Sequence, residues 1–143
     1  MLLKTGDMMS LIGIQPVIVT TNSCLKSNHT LVMGAGAAKQ LATRIPQLPV
    51  TLGQLIKPGD TYGFMYLPHY MAGVFQTKHH WKAPSDLNLI IHSTSMLNQY
   101  ASVHTHETLN LNFPGIGLGG LPRKAVLPII STLPDNITVW EYT

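Results

Sequence analysis

Two glycine-rich segments, each between a strand-like run and an amphipathic helical stretch, constrain this chain more than any other feature. Pro16-Val17-Ile18-Val19-Thr20-Thr21 is apolar and β-branched, the pattern of a buried central strand. A polar loop, Asn22 to Thr30, leads to Val32-Met33-Gly34-Ala35-Gly36, and then Ala38, Leu41, Ala42 and Ile45 form an i, i+3, i+4, i+7 stripe that Pro46 stops. The second case begins with a strand over Thr108–Phe113 and continues into Pro114-Gly115-Ile116-Gly117-Leu118-Gly119-Gly120. Pro122 suits the first turn of the helix that follows, and Val126, Ile129, Ile130 and Leu133 repeat the helical spacing. Pro128 lies inside that spacing, so the helix is expected to start late or to kink there.

The remaining segments fit the same alternation. Met1–Thr5 reads as a short strand ended by Gly6-Asp7, and Thr51–Ile56 as another turn or two of helix before Pro58-Gly59. Asp60–Leu67 alternates, with Tyr62, Phe64 and Tyr66 on one face. Pro68–Ala72 is a turn, and Gly73–Gln76 is a strand antiparallel to the one before it. Pro84-Ser85-Asp86 opens a long helix capped by Ser85 or a neighbour, with Leu87, Ile90, Ile91, Leu97 and Ala101 as its buried stripe. Asn136–Tyr142 is a closing strand. Strands alternating with helices predict a layered α/β domain with helices on both faces of the sheet.

At 143 residues, 45% of them apolar, the chain suits one domain spanning residues 1–143. Charged residues are only 10% of it, well under the usual quarter, which argues against disorder. The net charge of +3 lacks any lysine or arginine run, so it suits a polyanionic small ligand better than a nucleic-acid stripe. Cys24 is the one cysteine, so no intrachain disulfide is possible and a reducing cytoplasm is expected. Met1–Met9 has no long apolar stretch, and neither signal peptide nor membrane span is expected.

Glycine loops that end at helix N-termini, beside the carboxyl ends of strands, suit phosphate binding. Backbone N–H groups and a partial positive charge collect there, and glycine lets the backbone approach an anion without a Cβ in the way. Two such loops face to face would clamp a diphosphate. Either loop alone could equally be a tight turn. Neither is a Walker A motif, since the Gly-Lys-Ser/Thr ending is absent, and neither carries the dinucleotide fingerprint with its ribose-binding acid.

Gly6-Asp7-Met8, Val17 to Asn22 and Val32-Met33-Gly34-Ala35-Gly36-Ala37-Ala38 resemble, in that order, the opening of a macro domain. Phe75-Gln76-Thr77-Lys78-His79-His80-Trp81, followed by Pro84-Ser85-Asp86-Leu87, is similar to the Phe-Pro-Thr-Lys-x-His-Trp stretch of the DNA ADP-ribosyl glycohydrolase antitoxins (DarG) and of the related terminal ADP-ribose protein glycohydrolases. Pro114 to Leu121 resembles the second phosphate loop of that family. Small phage-encoded macro proteins look similar too. The resemblance implies a three-layer α/β/α macro-domain fold with a mixed central sheet, and ADP-ribose as the ligand.

Carried over residue by residue, the resemblance implies that Asp7 accepts the adenine amino group with the Met8 amide beside it, and that Asn22 faces the distal ribose. Met33, Gly34, Ala35 and Gly36 would wrap the diphosphate and distal ribose, with Thr77 nearby; Pro114, Gly115, Ile116, Gly117, Leu118 and Gly119 would hold the phosphates from the other side. Trp140 or Tyr142 would flank the adenine. From the residues alone, Asp7 could instead cap the short turn Met8–Leu11, Asn22 could cap its own loop, and Trp140 could simply pack. Lys78 is the expected catalytic residue: the resemblance puts it near the anomeric carbon of the distal ribose, which it attacks or whose developing charge it stabilises. Without the resemblance, a solvated lysine after an edge strand is the reading the residues favour. His80 matches the family histidine and would order the loop.

One departure stands out. Leu118-Gly119-Gly120-Leu121-Pro122 has no acid where the terminal ADP-ribose protein glycohydrolases carry a catalytic aspartate, which puts a lysine-plus-aspartate mechanism in doubt. Adjacent His79 and His80 point to opposite faces, and His104 and His106 lack further ligands, so no metal is expected, and no cofactor. The expectation is hydrolysis of ADP-ribosyl linkages, with single-stranded DNA as the carrier, by a monomer in the cytoplasm (the host's, for a viral chain). The alternatives are a non-catalytic binder of ADP-ribose or a nucleotide signal, and an ADP-ribose 1″-phosphate phosphatase.

Overall fold

The computed structural model describes residues 1–142. Strands β1 (Leu2–Thr5), β2 (Val17–Thr21), β3 (Phe64–Leu67), β4 (Ala72–Gln76), β5 (Leu109–Asn112) and β6 (Ile137–Glu141) form one sheet in the order β1-β6-β5-β2-β4-β3. Every neighbouring pair is parallel except β3 with β4. Helices α1 (Gly36–Arg44) and α2 (Gln47–Leu55) cover one face, and α3 (Leu87–Val103) and α4 (Arg123–Ile130) the other. The expected three-layer α/β/α architecture with a mixed sheet is the one that forms.

Alternation along the strands divides the core. In β2, Val17 and Val19 pack towards Leu41 and Leu48, whereas Ile18 packs towards Ile90 and Ile130. In β4, Ala72 and Val74 go with the first set and Phe75 with the second. Both strands are covered on both faces, which is why they read as continuous apolar runs.

Several local expectations are corrected. Helix α2 starts at Gln47 rather than Thr51: Pro46 is its N-cap and Pro49 sits in its first turn, where amides lack intrahelical acceptors and proline loses nothing. The strand expected from Asp60 is confined to Phe64–Leu67. Gly63, at φ +74°, breaks the alternation, so Tyr62 packs on the α1/α2 side while Phe64 and Tyr66 pack on the other. In α3 the expected cap, Ser85 or a neighbour, is Asp86, its carboxylate accepting from the Asn88 (2.9 Å) and Leu89 (3.4 Å) amides. Ile91 is 48% exposed, and the buried stripe is Leu89, Ile90, Ser93, Thr94, Leu97 and Ala101. Small polar residues inside the stripe hid its phase. Helix α4 begins at Arg123, with Pro122 as its cap, so of the two expectations for Pro128 the late start does not hold; Pro128 lies exposed inside the helix.

Gly53 shows how tightly α2 is docked. A Cβ there would overlap the His29 carbonyl and crowd Thr30, both backbone, on a loop in which His29 itself adopts φ +65°. Alanine normally gains up to about 1 kcal/mol over glycine inside a helix. Here backbone overlap reverses the sign: Gly53→Ala should destabilise by about 1–3 kcal/mol. Chemical denaturation reads the shift, and an increase in stability would refute the close approach.

Candidate functional site

One cleft runs along the carboxyl ends of the parallel strands, where open α/β sheets hold ligands. Its first chamber, about 480 Å³, lies over the ends of β4, β2 and β5. A second, about 550 Å³, lies over the ends of β5, β6 and β1. They share Gly36, Ala37, Asn112, Phe113 and Ile116, so they are two ends of one site. Each is within the range of small-molecule pockets.

The cleft exists because β2 and β5 part company. Their ladder pairs Val17 with Asn110 and Ile18 with Leu111. Beyond that, Asn112 bridges the gap with its side chain, accepting from the Thr20 amide and donating to the Thr20 hydroxyl, both at 2.9 Å. Asn112 lines both chambers and was not anticipated. The signal was available: two asparagines in a strand otherwise built for the core.

The two glycine loops meet across the first chamber. Met33, Gly34, Ala35 and Gly36 line one wall, and Gly115, Ile116, Leu118 and Gly119 the other. Gly117 lines the second chamber, and Pro114 lines neither. Ala35 gives α1 no side-chain cap, and the bond from the Lys39 amide to the Ala35 carbonyl opens the helix. The amides of Gly36, Ala37 and Ala38 therefore lie outside the helical pattern, at residues that all line the chamber. In the second loop the Gly119, Gly120 and Leu121 amides bond back to Ile116, Gly117 and Gly115. Gly115 (φ +76°) is needed twice over, because a Cβ would also press on Ile90 and Leu121. Gly34 differs: a Cβ there meets no atom within 4 Å, so nothing in the protein itself requires glycine.

Thr77 and Lys78 leave the end of β4 and line the first chamber. Thr77 is buried, its amide donating to the Thr21 carbonyl at 3.0 Å. Lys78 is half-buried, and no ion pair among the described residues involves it. No carboxylate lines this chamber. The backbone under Lys78 is held by Gln76, a fully buried glutamine where the resembled pattern has proline. Its amide nitrogen donates to the Asp60 carbonyl (2.8 Å), the Ser23 hydroxyl (3.2 Å) and the Lys78 carbonyl (3.4 Å), and its oxygen accepts from the Gly63 amide (3.0 Å). Ser23, also fully buried, donates to the His79 carbonyl at 3.3 Å. Thr61 bonds the His79 ring at 2.8 Å.

Asn22 is buried on the first chamber and does cap its own loop: its oxygen accepts from the Cys24 amide (2.8 Å) and its nitrogen donates to the Val32 carbonyl (3.1 Å). One N–H of that amide is left over. The Asn22 carbonyl accepts from Tyr62 at 2.9 Å, and burial pushes the Tyr62 hydroxyl well up, keeping it a neutral donor. Asp7 and Met8 line the second chamber with Trp140 and Tyr142. Asp7 caps the turn Met8–Leu11 with one carboxylate oxygen, to the Met9 amide at 3.0 Å, and its other oxygen is not engaged there. The Trp140 indole N–H goes to Asn110 at 2.9 Å, so this ring both packs and lines the chamber. Glu141, on the same rim, meets Arg123 in a two-pronged pair, and hydrogen bonding to that guanidinium holds its carboxyl below the usual range.

Of the histidines, His80 accepts from the Lys82 amide at 3.1 Å. His104 stacks on Tyr100. Among the described residues no three of His, Cys, Asp and Glu gather closely enough to hold a metal. Trp81, Ser85, Thr20, Thr21 and Phe113 also line the first chamber and were not expected as site residues from the sequence.

The sequence matches no protein-family model and no curated protein. Among solved structures, the chain is similar to the macrodomain of Thermus aquaticus DarG, with a TM-score of 0.65 at 21% identity over 99% of this chain and 98% of that one. It is similar to the macrodomain of Mycobacterium tuberculosis DarG, with a TM-score of 0.68 at 22% identity over 99% and 97%. It also matches Thermosipho africanus DarTG, a structure in complex with ADP-ribose, with a TM-score of 0.69 at 19% identity over 99% of this chain and 42% of that one. The fold is that of a macro domain.

Proposed function

We propose that this macro-domain fold binds ADP-ribose along the two-chambered cleft and hydrolyses an ADP-ribosyl linkage, with single-stranded DNA as the carrier. The adenine occupies the second chamber beside Asp7, Met8 and Trp140. The diphosphate lies between the glycine loops, and the distal ribose reaches the first chamber near Asn22 and Lys78. The observation that carries this reading is that two glycine loops far apart in sequence line one chamber whose wall also includes Lys78. Backbone amides suit a diphosphate because they supply donors without needing counter-charge. The similar Thermosipho africanus structure, a complex with ADP-ribose, supports the choice of ligand. A monomer in a reducing cytoplasm is the setting this proposal assumes.

The chemistry follows from the residues at hand. With no carboxylate in the first chamber, Lys78 is the group available to act at the anomeric carbon, as nucleophile or as the charge that stabilises the departing base. Incubation with ADP-ribosylated single-stranded DNA should release free ADP-ribose; no release would reject hydrolysis of that linkage. The same lack of a carboxylate favours a second reading, a module that binds ADP-ribose and does no chemistry. Calorimetric binding without product from any ADP-ribosylated carrier would select it.

Gly34→Val separates the ligand from the fold. The position lines the chamber and has room for a side chain, so thermal stability should change by less than about 1 kcal/mol. ADP-ribose affinity should fall by at least about tenfold, since the added bulk displaces the diphosphate. Undiminished affinity would remove this loop from the site.

A further inference from the structure

Trp81 is the one aromatic ring in the lining of the first chamber that is exposed rather than buried, at 48%. It sits three residues past Lys78, beyond the half-buried part of the loop. Exposing half a tryptophan is costly, and here the ring is also held in place: His80 stacks against it at 5.9 Å and 23°, and the Lys82 ammonium lies 5.1 Å from its centre. From the other glycine loop Leu118, 86% exposed, lines the same chamber. The stretch Thr61–Ser85 contains no Asp or Glu, while His80 and Lys82 lie against the tryptophan and Lys78 lines the same chamber. The rim next to Lys78 is therefore a fixed aromatic face, edged by cations, with an apolar side chain from the other loop.

We propose that Trp81 is a stacking platform for an unpaired nucleobase of a single-stranded nucleic acid, with Lys82 on the adjoining phosphate. This rests on the reading that the cleft holds the ADP-ribose of its substrate, and it concerns what lies on the far side of the linkage. A flat, sequence-tolerant π-face beside a cation matches a base and its phosphate. An acidic peptide would use the cations and leave the ring idle. The lysine's hold on the exposed ring is weaker than base stacking, so a base displaces or joins it. With two cations rather than a basic stripe, affinity is weak and leans on the ring.

The test uses the full chain, a fluorescent unmodified oligothymidylate and free ADP-ribose as separate probes. At low salt the wild type should bind the oligonucleotide. Trp81→Ala should lose about 5- to 100-fold of that affinity, with Trp81→Phe retaining most of it. Thermal denaturation reports that both variants fold, the ring being half exposed, and ADP-ribose affinity, read by calorimetry, should fall by less than the oligonucleotide affinity does. Lys82→Gln should reduce the salt slope of oligonucleotide binding by about 0.7. The proposal is overturned by three results: no oligonucleotide binding by the wild type, equal binding by Trp81→Ala, or displacement of the oligonucleotide by polyglutamate as readily as by unlabelled DNA. Failure of the wild type to bind ADP-ribose would count against the cleft's proposed ligand instead, and leaves the oligonucleotide measurements to decide the platform.

Discussion

Lys78→Ala is expected to lower turnover of ADP-ribosylated DNA by at least about 100-fold while leaving ADP-ribose affinity within a few-fold. The asymmetry follows from where the lysine stands. In the proposed binding mode the glycine loops and the second chamber would make most of the contact with the nucleotide, whereas Lys78 borders only the end over β4 and β2. The chamber offers no carboxylate to take over its work. An interaction made mainly in the transition state changes kcat and leaves binding alone. Lys78→Arg separates the two possible roles: guanidinium keeps the charge and cannot act as the nucleophile. A largely retained rate in Lys78→Arg would identify electrostatic stabilisation, and its loss would identify attack on the anomeric carbon. Full turnover by Lys78→Ala would reject both.

The second large effect is on stability. Gln76→Ala should cost about 3 kcal/mol, a substantial part of what an ordinary domain has. The side chain is fully buried and satisfies groups on both sides of it: the Asp60 carbonyl, the Gly63 amide and the Ser23 hydroxyl. Truncation leaves the Asp60 carbonyl and the Gly63 amide without this partner, removes one of the two bonds at the Ser23 hydroxyl, and opens a void between β4 and the segment before β3. Proline, the residue of the resembled pattern, would be no remedy, because the Gln76 amide donates to the Gly63 carbonyl at 2.7 Å. Urea denaturation reads the loss as a lower midpoint, and a change under about 1 kcal/mol would show that the network is dispensable. Since Gln76 and Ser23 also bond the carbonyls of Lys78 and His79, the same truncation should loosen the backbone beneath the lysine.

The fold was legible because its main signals are local. Pro16–Thr21 is covered on both faces and reads as one apolar run, and the loops ending at Gly36 and Gly120 open helices as glycine loops do. What misled was polarity inside buried elements. Ser93 and Thr94 sit in the stripe of α3, so counting apolar residues alone chose Ile91 in place of Leu89. Proline misled in the opposite direction: Pro128 was expected to delay or kink the helix, yet α4 begins at Arg123 and contains it.

The candidate site was legible where a motif has a backbone reason, as at Gly34 to Gly36 and Gly115 to Gly119. It was least legible where two strands part. Asn112 acts through a side-chain bridge to Thr20, a contact between residues 92 positions apart that no spacing along the chain reveals. Gln76 was quoted as part of a pattern, and its own network depends on the turn at Gly63, which only the folded chain brings beside it. Asp7 and Asn22 each serve the local cap that the residues alone allowed and also line the cleft, so the two readings were never exclusive.

The account depends on amides from two separate glycine loops gripping one diphosphate. Isothermal titration of the purified chain with ADP-ribose, alongside AMP and ribose 5-phosphate, tests this most directly. One-to-one binding of ADP-ribose, at least about tenfold tighter than either fragment, is the predicted result, since only the whole ligand spans both chambers. No heat of binding with ADP-ribose, or AMP binding as tightly as ADP-ribose, would contradict it.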